Sequence, residues 1–144
     1  MPRLIFVNLP VSDLARSTAF YQALGAARDK RYCDEATAAC LVFSETIHVM
    51  LLTHDKFRQF TPKNIANARE TSEVLICVSA DSREAVDATV EKAGAAGGKV
   101  DIAPRQDYGF MYGRSFEDPD GHIWEVMWMD VAAATAAGNA SAAA

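Results

Sequence analysis

Apolar and polar positions divide the chain into short segments of two periods. Residues 3–9 carry Leu4, Ile5, Phe6 and Val7 before the polar Asn8 and read as a strand. Ser12 or Asp13 then supplies a helix cap. Leu14, Phe20, Tyr21 and Leu24 recur at helical spacing until Gly25 closes the segment. From Ala26 to Thr53 the pattern becomes β-like, in runs at 31–34, 38–43 and 48–52 separated by turn-forming polar residues. Residues 54–70 are polar, contain Pro62 and show no strand alternation; they read as a helix-compatible linker.

The order then repeats. Residues 73–78 read as a strand. Asp81, with Glu84 three positions on, has the pattern of a capping box, and Val86, Val90 and Ala93 form the apolar stripe of the helix it opens. Gly94 and Gly97-Gly98 end that helix. Strands are expected at 99–102, 110–116 and 122–129, the last preceded by Asp118-Pro119-Asp120-Gly121, which has β-turn chemistry. Each half is strand, helix and three strands. The repeat is longer than a solenoid period, so it implies one βαβββ module duplicated. Residues 1–130 thus read as a single domain of two modules, 3–53 and 71–130, joined by the linker 54–70. Residues 131–144 offer no large apolar side chain beyond Val131 and read as a frayed helix or disordered tail.

Composition narrows the class. Half of the 144 residues are hydrophobic and 23% are charged, the balance of a globular chain. No apolar run approaches the roughly 20 residues that span a bilayer. A net charge of −5 argues against a nucleic-acid surface. The apolar stretch at 4–7 is too short for a signal-peptide core. Cys33, Cys40 and Cys77 are odd in number and lack CxxC spacing, so they read as reduced, small core hydrophobes in a cytoplasmic protein.

Two segments carry a resemblance. Phe6-Val7-Asn8-Leu9-Pro10-Val11-Ser12-Asp13-Leu14, followed by Ser17, Phe20-Tyr21 and Leu24-Gly25, resembles the opening of the vicinal-oxygen-chelate superfamily. That superfamily includes glyoxalase I, bleomycin-resistance proteins, fosfomycin-resistance enzymes and extradiol dioxygenases. Asp118-Pro119-Asp120-Gly121-His122-Ile123-Trp124-Glu125 resembles its closing strand. The resemblance implies an α+β fold: two βαβββ modules forming a partly closed, cup-shaped mixed sheet with helices outside. It also implies a small-molecule ligand in the cup and a homodimer, with neither nucleic acid nor membrane as a partner. In metal-dependent members the ligands come from the first and last strand of each module, and substrate oxygens chelate the ion.

Carried over residue by residue, the resemblance puts Phe6 at the first ligand position, Leu51 at the second, Glu73 at the third and Glu125 at the fourth. Two carboxylates survive and two donors have become hydrocarbon. Zinc, nickel and iron sites normally draw three or four protein donors, whereas two carboxylates alone suit a hard, hydrated ion. The three histidines read as structural. His122 follows a turn, His54 lies in the linker, and His48 is three positions from Leu51 and so faces the opposite side. Glu125 is a lone carboxylate among Ile123, Trp124, Val126, Met127, Trp128 and Met129. It is either paired with an inward Arg or hydrated on the cup wall, or it serves as ligand or general base.

Alternation puts Phe6 and Asn8 on one face, and Ile123, Glu125 and Met127 on another, with Trp124 and Trp128 turned to the helices. For the 110–116 strand, the resemblance favours Met111, Gly113 and Ser115 in the cup with Tyr112 and Arg114 near its rim. The other parity would present Phe110, Tyr112 and Arg114. The substrate-binding candidates are therefore Phe6, Asn8, Leu51, Met111, Tyr112, Arg114, Ser115 and Met127. Two functional readings stand side by side. One is a divalent-metal-assisted lyase or isomerase, with Glu125 catalytic and Glu73 and Glu125 as metal ligands. The other is a metal-free small-molecule binding or sequestering protein of the bleomycin-resistance type. A third, an interaction protein that kept the fold and lost the site, follows from the same two lost donors.

Overall fold

A computed structural model describes residues 1–143 and the side chains of residues 1–138. Ala144, and with it the end of the tail considered above, lies outside the described residues. The chain runs β1 (Ile5–Val11), α1 (Leu14–Ala23), β2 (Ala27–Asp34), β3 (Ala38–Val42), β4 (Ile47–Thr53), α2 (His54–Arg58), β5 (Ile76–Ser79), α3 (Arg83–Ala95), β6 (Lys99–Val100), β7 (Gln106–Asp107), β8 (Met111–Glu117), β9 (Ile123–Met129) and α4 (Val131–Ala143). No helix among the described residues is long and apolar enough to cross a membrane.

The elements form two compact units. The first takes residues 1–71 and the turn 118–122; the second takes residues 72–117 and the chain from Ile123 on. The linker thus belongs to the first unit. So does the Asp-Pro-Asp-Gly turn, although it joins two strands of the second.

Both units repeat one sheet plan, which makes the fold mixed α+β. In the first the strand order is β1-β4-β3-β2; in the second it is β5-β9-β8-β6, with β7 also paired to β8. The first strand of each unit lies parallel to its last, and the remaining pairs are antiparallel. Only a crossover through other elements can bring a first strand parallel beside a last one, and α1 and α3 begin those crossovers.

In the first unit, Asp13 caps α1 by accepting from the Arg16 amide at 3.0 Å. Phe20 and Tyr21 are buried under the sheet residues Leu9, Val11, Leu41, Val49 and Leu51. Gly25 leaves the helix at φ +103°, a conformation natural to glycine. In the second unit the cap of α3 is Ser82, whose Oγ accepts from the Ala85 amide at 3.0 Å. The expected cap, Asp81, stands one residue too early. Val86, Val90 and Ala93 form the buried stripe as the spacing predicts, packed with Phe116, Trp124 and Val126.

Two elements differ from the sequence reading in ways that matter for function. β5 spans Ile76–Ser79, so Glu73 precedes the strand instead of opening it, and Glu73, Val74 and Leu75 are exposed. Cys77 is exposed as well and is not a core residue, whereas Cys40 is buried and Cys33 half-buried. All three thiols are free.

Candidate ligand-binding site

Register decides which candidates share a surface. In the first unit Phe6 pairs with His48 and Asn8 with Met50, so these four face one side; Leu9 pairs with Leu51 on the other. Leu51 is fully buried with Val49 and Leu41 against α1. It cannot line one surface with Phe6, which corrects its assignment as a ligand-position and substrate-binding residue. The one-residue offset is enough, because strand side chains alternate with period two.

The residue beside Phe6 is instead His48. The two rings stack with centroids 4.5 Å apart and planes 20° from parallel, and Tyr32 meets Phe6 edge-on at 6.4 Å. His48 is buried, and its Nδ1 has no hydrogen-bond partner among the described residues. Phe6 and Asn8 remain exposed. This face therefore carries an aromatic stack and one amide. His48 was legible as facing away from Leu51, but its place under Phe6 was not.

In the second unit the expected parity holds. Met111, Gly113 and Ser115 pair with Met129, Met127 and Glu125, and Cys77 pairs with Glu125 from the opposite neighbour. Trp124 is buried on the helix side. On the face of Glu125 a small cavity of about 130 Å³ is lined by Cys77, Pro104, Gln106, Met111, Glu125 and Met127, among others. Glu125 is half-buried there and makes no hydrogen bond or ion pair among the described residues.

The roof of this cavity depends on an unusual residue. Asp101 adopts φ +53°, a left-handed conformation that Asp tolerates better than most side chains. Its amide donates to the Ser115 carbonyl at 2.7 Å, and its carboxylate turns away to Arg114. Two residues later the Ala103 amide donates to Ser115 Oγ at 3.1 Å, which brings Ala103 and Pro104 over the sheet. Ser115 is thus a buried anchor for the roof.

The side chains of Tyr112 and Arg114 bond to groups on the opposite face, as the parity requires, while Arg114 also borders the cavity. Arg114 is almost wholly buried and bonds Asp101 through Nε and Nη2, and Asp87 and Glu91 through Nη1, at 2.9–3.1 Å. Tyr112 donates its phenol to Asp87 at 2.7 Å. The Arg114 guanidinium holds the Asp101 carboxyl below its usual range; for Asp87 the Tyr112 phenol is the larger cause and Arg114 the next. Arg114 is therefore the structural clamp of α3 and is not available to pair with Glu125.

Cys77 is the nearest reactive neighbour of Glu125. Desolvation pushes its thiol up, and the Glu125 carboxylate adds to the shift. A thiol kept protonated is a poor nucleophile and a poor metal ligand.

These donors do not make a conventional metal centre. Phe6 offers a ring, Leu51 is turned into the core, Glu73 lies outside its strand, and Glu125 stands without a second carboxylate beside it in its sheet. Among the described residues no group of three or more His, Cys, Asp or Glu is placed to hold an ion. Chelation by Zn²⁺, Ni²⁺ or Fe²⁺ calls for three or four such groups.

The family model for the Glyoxalase/Bleomycin resistance protein/Dioxygenase superfamily matches residues 3–126. Among solved structures, a hypothetical protein from S. aureus is 27% identical, with a TM-score of 0.73 over 89% of this chain and 94% of that one. A glyoxalase/bleomycin resistance protein/dioxygenase family enzyme from Burkholderia phytofirmans PsJN is 21% identical, with a TM-score of 0.71 over 89% and 99%. A mutant of the fosfomycin resistance protein FosX from Listeria monocytogenes, in complex with Mn(II) and 1S,2S-dihydroxypropylphosphonic acid, shares the fold at 21% identity and a TM-score of 0.64, over 88% and 89%. None of the curated proteins matches the chain.

Proposed function

The chain belongs to the Glyoxalase/Bleomycin resistance protein/Dioxygenase superfamily, and from that premise we propose that it is a metal-independent small-molecule binding protein that holds its ligand at Glu125. The observation that carries this reading is an uncommitted carboxylate on a largely apolar cavity wall. Met111, Met127 and Pro104 supply hydrocarbon and thioether surface, and Gln106 a second polar group. A carboxylate in such a setting pairs best with a ligand group that brings its own positive charge or several N–H donors. The cavity, at about 130 Å³, is small beside the roughly 300–1,000 Å³ typical of whole-ligand pockets. It accepts one cationic group of a larger, partly apolar molecule.

No step is routed through a metal, because the residues at the family's ligand positions do not fit one. Sequestration needs only a complementary surface, and hydrocarbon at Phe6 costs it nothing.

The test is a thermal-shift and calorimetric titration in EDTA with benzamidine and phenethylamine, and with benzoate as the anionic counterpart. The amines should bind and benzoate should not, and Glu125→Gln should abolish amine binding without lowering the melting temperature. Uptake of one equivalent of Mn²⁺, Ni²⁺ or Zn²⁺ by the wild-type protein, lost in Glu125→Gln, would overturn the reading in favour of metal-assisted chemistry at Glu125 and Glu73.

A further inference from the structure

A further cavity of the first unit is lined by residues other than those of the two sheet faces just described. It has a volume of about 720 Å³ and sits between α2, the segment that follows it and the 118–122 turn. Arg58, Lys63 and Arg69 line it, together with His54, His122 and Asp120. Three fixed cations around one cavity stand out in a chain whose net charge is −5.

The only carboxylate in that lining is already engaged. Asp120 accepts from the amide and hydroxyl of Ser12 at 2.9 and 2.8 Å, and from the hydroxyl of Ser17 at 3.1 Å. The cations are less committed. Lys63 has no ion-pair partner among the described residues. Arg58 pairs with Asp55 at 2.7 Å, but both side chains are well exposed, and such a surface pair holds weakly. Arg69 gives one Nη2 hydrogen bond to the Pro119 carbonyl at 2.7 Å, which aims the guanidinium while leaving further donors free. His122 donates from Nε2 to the Pro10 carbonyl at 2.8 Å, which fixes the ring at the edge of the cavity.

The wall is also built rather than loose. Gly121 sits at φ +94°, and a Cβ there would come within 2.9–3.0 Å of the backbone of Ala68 and Arg69. The turn and the linker are thus packed backbone to backbone. The Asn67 side chain accepts from the Arg69 amide, and its carbonyl from Glu70 and Thr71. A segment without regular structure this long usually has a function or is disordered; here it is held at a fixed place.

We propose that this cavity is a second binding site, for a phosphorylated small molecule of nucleotide size. The volume lies within the roughly 300–1,000 Å³ range of organic ligands. Two arginines and a lysine in one lining supply the charge and the N–H donors that a phosphate or diphosphate group calls for. The site is in the first unit and draws on no residue of the Glu125 cavity, so the two proposals stand or fall separately.

The experiment is calorimetric titration of the full chain with ADP and with inorganic phosphate, at 50 and 300 mM NaCl. ADP should bind one equivalent, more tightly than phosphate, and more weakly at the higher salt. Arg58→Gln/Lys63→Gln should weaken ADP at least tenfold. Both positions are exposed, and circular dichroism and melting should match the wild type. Glu125→Gln should leave ADP binding unchanged. Absence of ADP binding to the wild type, or equal affinity in the double variant, overturns the site. Phosphate binding as tightly as ADP overturns its assignment to an organic ligand.

Discussion

The phenol of Tyr21, at the buried face of α1, donates to the carboxyl of Asp118, 97 positions later in the chain. Asp118 is itself buried, and its other oxygen accepts from the amides of Asp120 and His122 at 2.9 Å. Burial pushes this carboxyl up, against the opposing pull of His122 and of the Tyr21 hydrogen bond. One carboxyl therefore both shapes the Asp-Pro-Asp-Gly turn and fastens it to α1 within the first unit. Tyr21→Phe should cost about 1–3 kcal/mol, the penalty for a buried acceptor left unpaired. Asp118→Ala, which also frees two turn amides, should cost more. Urea denaturation midpoints at constant slope check both.

Arg114→Met should destabilise by about 1–3 kcal/mol, because it removes four hydrogen bonds to charged groups while the three acids left behind keep access to water. Arg114→Lys should be intermediate, since an ammonium cannot reproduce the two-pronged contact with Asp101. Neither change should alter binding at Glu125, which lies on the opposite face of β8 and β9. Denaturation and ligand titration on the same samples separate the two effects.

Acid should weaken the second unit. Asp87 and Asp101 are held below their usual range, and the Arg83 guanidinium lowers Asp107 from 3.8 to about 2. A carboxyl whose folded value is depressed contributes stability above its unfolded value and loses it as pH falls through the folded one. The melting temperature should therefore drop between about pH 4 and pH 2. In Arg114→Met the part of this slope due to Asp101 should be largely missing and the part due to Asp87 reduced, since Tyr112 still holds Asp87. Asp118 has the opposite sign: its raised value favours the folded state at low pH, and that contribution fades as pH rises.

Gly121→Ala should cost more than Gly25→Ala. Both glycines have positive φ, which costs a side chain about 1–3 kcal/mol. At Gly25 an added Cβ meets nothing within 4 Å, whereas at Gly121 it meets backbone that cannot swing aside. The Gly121 variant should also weaken ADP binding by displacing the 68–69 wall, while the Gly25 variant should not. Melting curves and the titration described above decide the point.

Much of this protein is written in local pattern. The period-two runs, the capped amphipathic helices and the turn at 118–121 were enough to give the duplicated βαβββ plan and the resemblance to the superfamily. The parity of β9 was legible too, because Glu125, Met127 and Trp124 alternate in one unbroken strand, whereas the residues of β8 left two parities open and register with β9 decided between them. Placement failed where facing depended on a partner strand or on an element's exact start. The resemblance puts Leu51 at a ligand position with Phe6, but parallel register pairs it with Leu9, and one residue reverses a side chain. The pattern starts a strand at Glu73, whereas β5 begins at Ile76.

The sequence by itself determined the strand-helix-strand order and its repeat, because these rest on residue type and near-neighbour spacing. Only the tertiary structure decided that Arg114 serves α3 rather than a ligand, that His48 lies under Phe6, and that Arg58, Lys63 and Arg69 converge with the 118–122 turn on one cavity. Those arrangements join residues remote in sequence, and no local period records which of several charged partners a side chain meets once the chain has closed on itself.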